Sequence, residues 1–146
     1  MSVPVGLRSE SRVEFINVTM QLDIHTKQCC RKLPKSAMFI MTKNVIDIVN
    51  EIGKNVVIAN ARYPKTIEDI NFRKSHFTEA RGLLDWLDFQ VQQCYEMYRG
   101  KSKSDNPSGD KVKISDFGWR EWGRLIYTLK GLLTSIINSD KDRISK

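Results

Sequence analysis

Apolar residues recur every three or four positions along most of the chain, which is the spacing of amphipathic helices. The widest apolar pattern begins at residue 38. Its first stripe contains Met38, Met41, Val45, Ile48, Ile52, Val56 and Ala59. A second stripe beside it contains Phe39, Ile46, Val49 and Val57. An apolar face of this width predicts a helix packed on two sides, with its exposed side formed by Lys43, Asp47, Asn50 and Lys54.

A longer and more regular pattern follows Pro64, which ends the preceding helix. Its apolar positions are Ile70, Phe77, Ala80, Leu84, Leu87, Val91, Cys94 and Tyr98, and the stripe is widened by Leu83, Trp86 and Phe89. Thr66, with Asp69 three residues later, resembles a capping box at a helix start. The pattern therefore predicts a helix of about thirty residues.

Two further helices complete the chain. The first has apolar positions Val13, Ile16, Met20 and Ile24, and the last has Trp119, Trp122, Ile126, Leu129, Leu133 and Ile136. All three tryptophans lie on apolar stripes, so we interpret them as core or subunit-interface residues. Tyr63, between Arg62 and Lys65, is the one aromatic residue that we expect could meet a nucleic-acid base.

The predicted helices span residues 10–31, 36–62, 66–99 and 115–139. Residues 100–114, rich in Gly, Pro, Ser, Asn and Lys, predict a flexible basic loop, and residues 140–146 predict a polar tail. No segment shows the sustained alternation of a strand. The sequence thus predicts one all-α domain over residues 1–146, an up-down-up-down antiparallel four-helix bundle.

Composition agrees with a soluble, cytoplasmic protein. Hydrophobic residues make up 40% of the chain and charged residues 28%, which is ordinary for a globular domain. No apolar run approaches the roughly 20 residues of a membrane span, and the first residues do not resemble an export signal. Cys29, Cys30 and Cys94 form no complete disulfide framework and no metal-ligand spacing, so we predict reduced structural cysteines.

Signatures of catalysis are missing from the sequence. It contains no phosphate-binding GxxxxGK[ST], no GxGxxG and no HExxH, and it has no paired Glu-x-x-His of the kind that holds two irons in a bundle. We therefore predict a protein that is not an enzyme, with no catalytic residue, cofactor, metal or small-molecule ligand.

Positive charge is concentrated in one part of the chain. Residues 27–65 contain eight lysines and arginines against two acidic residues, a net +6 out of the +7 of the whole chain. The candidate nucleic-acid or partner-binding residues are Arg31, Lys32, Lys35, Lys43, Lys54, Arg62 and Lys65. They predict two clusters about 40 Å apart at the ends of the second helix, joined by a lysine stripe. This shape suits a long polyanion, although solvated helix ends are the alternative.

The chain resembles a known family in three stretches. They are the basic "KLPKS" entry to the second helix, the run Phe77-x-x-Ala80-Arg81-Gly82-Leu83-Leu84, and the run Leu129-Lys130-Gly131-Leu132-Leu133. Over residues 31–137 the sequence is similar to the accessory variability determinants of diversity-generating retroelements. These four-helix bundles are related to the bundle proteins of bacterial ribosomal-RNA intervening sequences.

The resemblance implies a non-catalytic accessory protein that assembles into a ring-shaped homo-oligomer, a pentamer in the family. Its implied partners are the reverse transcriptase of the same element and the template RNA, with DNA or a cDNA hybrid as further possibilities. Its implied role is to support mutagenic cDNA synthesis in retrohoming. The alternative is a protein–protein interaction bundle of the intervening-sequence type, without a nucleic-acid function.

Overall fold

The computed structural model describes residues 10–99 and 114–145. These residues form four α-helices and no strand. The helices are α1 (Glu10–Arg31), α2 (Lys43–Ala61), α3 (Ile67–Tyr98) and α4 (Asp116–Ser145). The main helix contacts join α1 to α2, α2 to α3, α3 to α4 and α4 to α1. The all-helical prediction is confirmed, and the four helices fit a four-helix bundle.

One continuous core joins the four helices. Its largest fully buried side chains include Leu22 on α1, Ile52 on α2, Phe77 on α3 and Trp122 on α4. The indole of Trp122 donates a hydrogen bond to the Thr26 hydroxyl at 2.9 Å, which satisfies the one polar atom of this buried ring.

Side-chain contacts show which segments of the helices lie side by side. Phe15 of α1 packs edge-on against Phe77 of α3, with ring centroids 5.6 Å apart. Tyr95, near the end of α3, packs in the same way against Trp119, near the start of α4, at 5.2 Å. At the other end of this helix pair, Arg73 of α3 binds Asp140 of α4.

The start of the second helix differs from the prediction. The predicted helix began at residue 36, but a 3₁₀ turn (Lys35–Ala37) and a π-helical turn (Met38–Thr42) precede α2. A π turn contains more residues than an α turn, so it shifts the phase of the apolar positions. Ala37 and Met41 point into the core, whereas Met38, predicted at the head of the first stripe, is 49% exposed.

The second apolar stripe of this helix is also only partly covered. Val49 is buried and Ile46 half-buried, whereas Phe39 and Val57 are 83% and 59% exposed. Within the described residues α2 contacts both α1 and α3, as expected for a helix packed on two sides, but no described helix covers the positions around Phe39 and Val57.

The sequence predicted a loop over residues 100–114 and a polar tail over residues 140–146. Residues 100–113 of the predicted loop lie outside the described residues, and Ile114 belongs to the core. Ile114 packs close to Gly118. A Cβ atom added at Gly118 would lie only 3.1 Å from the Ile114 side chain. The predicted polar tail is wrong, because α4 continues to Ser145. The helix is held there by Asp140, whose carboxylate is buried against Arg73.

Candidate nucleic-acid interface

The connection between α1 and α2, residues 31–43, is here called the α1–α2 corner. After Arg31 the chain makes a turn in which the Leu33 N–H donates to the Cys30 carbonyl at 3.2 Å. Pro34 adopts an extended conformation (φ −62°, ψ 153°) and stops α1. Leu33 and Pro34 are buried, while Lys32 and Lys35 are exposed. The apolar residues thus anchor the corner, and the cations face solvent.

The cations of the corner carry available charge. Arg31, Lys32, Lys35 and Lys43 are exposed, and no ion pair to any of them is recorded within residues 10–99 and 114–145. Some cations elsewhere in the protein are paired: Lys27 binds Asp23 at 3.0 Å, and Lys130 binds Asp85 at 2.6 Å. The corner therefore presents charges that an external anion can neutralise.

The predicted lysine stripe along α2 is not a positive track. Lys43 and Lys54 are both exposed, and eleven residues place them on the same face of a helix. Asp47 and Glu51 are exposed between them. Two carboxylates thus offset two ammonium groups, and the stripe has no net charge with which to join the clusters.

The cluster at the α2–α3 connection differs from the corner. The Arg62 guanidinium lies 3.9 Å from the centre of the Phe72 ring and 3.8 Å from the Asp69 carboxylate. Lys65 is exposed. Tyr63 is 60% exposed, and the Arg143 guanidinium lies 5.8 Å from the centre of its ring. Among the predicted site residues of this cluster, Arg62 therefore already has an acidic partner within the protein, Asp69.

Asp69 takes part in the capping box that was predicted at the start of α3. The Asp69 N–H donates to the Thr66 hydroxyl at 3.2 Å, and the Thr66 N–H donates to the Asp69 carboxylate at 3.0 Å. The hydrogen bonds from Thr66, together with nearby Arg62, hold the pKa of Asp69 below its usual value.

Arg73 is a structural residue that the sequence analysis missed. Its side chain is 5% exposed, and its guanidinium donates to both carboxylate oxygens of Asp140, at 2.7 and 3.4 Å. It also donates to the carbonyls of Ala59 and Arg62, at 3.2 and 2.8 Å. One arginine therefore satisfies carbonyls at the end of α2 and ties α2 and α3 to α4. The signal was present in the sequence, since Arg73 occupies a core position of the α3 repeat between Ile70 and Phe77.

Two arginines missed by the sequence analysis lie at the corner's end of the molecule. Arg99 donates to the Tyr95 hydroxyl at 2.9 Å and lines a cleft of about 580 Å³ together with Arg120. The cleft also contains Asp88, Trp119 and Asp116. Its guanidinium and carboxylate charges balance, so the cleft lacks the net charge that a polyanion requires.

The three cysteines lie in the core near this end. All are free and buried, and burial raises the pKa of Cys29 to about 11 and that of Cys30 and Cys94 to about 12. His25 Nε2 lies 2.8 Å from the Gly118 carbonyl and 3.4 Å from Cys29 Sγ. Buried thiols with such pKa values are unreactive structural groups.

In the part of the chain that the structure describes, no group of three or more His, Cys, Asp and Glu is arranged to hold a metal ion. None of the described helices combines the length and the apolar character needed to cross a membrane.

Comparisons of the chain with protein-family models, with curated proteins and with solved structures return no match.

Proposed function

We propose that this protein is a non-catalytic RNA-binding accessory protein of a diversity-generating retroelement. The observation that carries the proposal is the α1–α2 corner, where Arg31, Lys32 and Lys35 are exposed and enter no ion pair recorded among the described residues. A phosphate backbone that replaces counterions at such groups binds tightly at low salt and progressively less as salt rises.

The proposed partners are the reverse transcriptase of the same element and its template RNA, or the cDNA hybrid made from it. The resemblance over residues 31–137 supports this choice, and it supports a role in mutagenic retrohoming in the cytoplasm. In this proposal the protein supplies binding and assembly, and the reverse transcriptase supplies the chemistry.

The proposed topology is an up-down-up-down antiparallel bundle. Two sets of contacts support it. Along α3 and α4, the pairs Tyr95–Trp119, Asp85–Lys130 and Arg73–Asp140 run in opposite order. Along α2 and α3, Asn55 binds His76 at 2.8 Å, whereas the later Ala59 carbonyl binds the earlier Arg73. Opposite order of contacts is what antiparallel neighbours produce.

The proposed assembly is a homo-oligomeric ring, a pentamer as in the family. Exposed aromatic residues on α3 support it. Trp86 and Phe89 are 50% and 58% exposed, and their rings stack with centroids 5.6 Å apart. Exposed apolar area of this kind is typical of a protein interface.

The same aromatic pair also favours the second candidate, a protein–protein interaction bundle of the intervening-sequence type. Under that alternative the Trp86–Phe89 surface binds another protein, and the cations of the corner contact only solvent. The two candidates differ in one property, which is affinity for RNA at physiological salt.

Fluorescence anisotropy tests the proposal. The purified protein is titrated against a labelled structured RNA and a length-matched duplex DNA, at low and at physiological salt. We expect RNA binding that persists at physiological salt and weakens steeply as salt rises. The control is the variant Arg31→Glu/Lys32→Glu/Lys35→Glu, which should keep its helical circular dichroism signal and lose RNA affinity. Failure of the wild-type protein to bind RNA at physiological salt would favour the protein-only alternative.

A further inference from the structure

The π-helical turn places three consecutive large apolar side chains on the surface. Met38, Phe39 and Ile40 are 49%, 83% and 59% exposed. Among the residues with described exposure, no other run of three consecutive large apolar residues is exposed in this way. The same turn buries Met41 and Thr42, so core packing accounts for those two residues and not for the three that precede them. Single π turns within helices occur frequently at functional sites.

The charged residues nearest to this turn in sequence are all positive. From Arg31 to Ile46 the sequence contains four cations, Arg31, Lys32, Lys35 and Lys43, and no aspartate or glutamate. Lys35 lies four residues before Phe39, and Lys43 lies four residues after it. Phe39 thus lies in sequence between two exposed lysines, and we take this segment as available to a partner that has both an apolar face and negative charge.

We propose that Phe39, flanked by Met38 and Ile40, is a stacking platform for unpaired RNA bases, and that Lys35 and Lys43 neutralise the phosphates on either side. Bases expose their faces to protein side chains in single strands, loops and bulges, and these faces stack on aromatic rings. The platform thus selects unpaired segments over duplex. This inference rests on the proposed function, since it names the form of RNA that the corner recognises.

The surroundings favour a nucleic acid over an anionic lipid surface. A helix that lies on a membrane presents an apolar face over several turns. Here the exposed apolar run is confined to one turn, and the following turns of α2 expose Asn44, Asp47 and Asn50. A hydrated, charged helix directly beyond the ring prevents deep insertion but does not hinder a single strand that crosses the corner.

The test uses the full-length protein and a single-stranded oligoribonucleotide with 2-aminopurine at its centre. The fluorescence of this base falls when it stacks, so the wild-type protein is expected to quench it on binding. Phe39→Tyr keeps the aromatic face and should quench equally. Phe39→Leu keeps apolar bulk without the face and should not quench. The matched control is Val57→Ala, which alters another exposed apolar residue, on α2 outside the corner.

Affinity gives a second readout. Loss of one base–aromatic stack in Phe39→Ala should weaken binding to the single strand by about 5- to 150-fold. The slope of log affinity against log salt should stay unchanged, because no phosphate contact is removed. Binding to a blunt RNA duplex should be unchanged as well, because its bases are stacked on one another.

Each other outcome contradicts the inference in a recognisable way. RNA binding without quenching by the wild-type protein, or equal affinity of Phe39→Ala, overturns the platform but leaves the proposed function intact. Absence of RNA binding at physiological salt overturns both. Loss of binding to phosphatidylserine-containing vesicles in Phe39→Ala, with RNA affinity retained, would assign the apolar turn to a lipid surface instead.

Discussion

At the start of α2, Lys35 and Lys43 flank exposed apolar residues, and no ion pair to either lysine is recorded among the described residues. At the end of α2, two arginines have partners within the protein, whereas Lys65 is exposed. Arg62 lies against Phe72 and Asp69, and Arg73 binds Asp140 and two carbonyls. The two ends of one helix therefore use the same kind of side chain for different purposes.

The difference shows why local charge in a sequence does not by itself locate a binding surface. A buried cation that already binds a carboxylate contributes to holding helices together, and it offers little to an external anion. An exposed cation without such a partner gives up only water and counterions when a phosphate binds. We therefore assign binding to the α1–α2 corner and structural support to the α2–α3 end.

The largest expected effect concerns the structural end. Arg73→Met leaves the buried Asp140 carboxylate without its partner and removes the Arg73 hydrogen bonds to the Ala59 and Arg62 carbonyls, so the free energy of unfolding should fall by about 3–5 kcal/mol. Urea denaturation followed by circular dichroism measures it. The control is Lys74→Met on the exposed neighbour, for which a change within about 0.5 kcal/mol is expected.

A double variant sharpens this prediction. Arg73→Met/Asp140→Leu removes both charges, so it should recover part of the lost stability. Recovery should remain incomplete, because the Arg62 carbonyl still lacks the Arg73 donor. Equal stability of Arg73→Met and the wild-type protein would show that the ion pair does not hold this end together.

Lysine footprinting compares the two ends directly. If RNA binds the corner, saturating RNA should slow acetylation of Lys32, Lys35 and Lys43 at least severalfold, because bound phosphates cover these ammonium groups. Lys65, at the other end of α2, should be acetylated at an unchanged rate. Mass spectrometry of proteolytic peptides gives both rates in one sample. Equal protection at both ends would contradict the assignment and restore a surface that spans α2.

A smaller effect is expected at the start of α3. Thr66→Ala removes a helix cap and should lower the free energy of unfolding by about 1 kcal/mol, whereas Thr66→Ser should retain it. Neither change should alter RNA affinity, because this end is structural.

The acid dependence of the same cap follows from Asp69. Its pKa is lower in the folded protein than its usual value, first because the Thr66 N–H donates to its carboxylate and also because Arg62 lies nearby. Its contribution is therefore fully present above the unfolded pKa of about 3.9 and is lost as the pH falls through the lower folded value. The stability difference between Asp69→Asn and the wild-type protein, measured by urea denaturation, should shrink across that acid range. A difference that is constant with pH would exclude this role.

Much of the fold follows from local sequence signals. Apolar spacing at three and four residues predicted the four helices, and Thr66 with Asp69 predicted the cap that the structure contains. These features depend on residues that are close in sequence, so a pattern can identify them. Cys29, Cys30 and Cys94 were likewise expected to be structural, and all three are buried and free.

The remaining features depend on contacts between distant residues. Asp140 was assigned to a polar tail because the local sequence does not indicate its partner. That partner, Arg73, lies 67 positions earlier in the chain. The exposure of Met38 follows from a π turn, and the apolar spacing around it does not distinguish this turn from an α turn. The sequence already placed Asp47 on the same exposed side as Lys43 and Lys54, but the charges of Asp47 and Glu51 were not set against those of the two lysines.

The salt dependence of RNA affinity in two matched variants shows whether the α1–α2 corner contacts the phosphates. Lys32→Gln/Lys35→Gln removes two charges from the corner, and Arg62→Gln/Lys65→Gln removes two from the other end. For single-stranded RNA, the corner variant should lose about 0.7 from the salt slope per contact removed, and the other variant should keep the wild-type slope. Equal loss of slope in both variants, or loss only at the α2–α3 end, would contradict the claim.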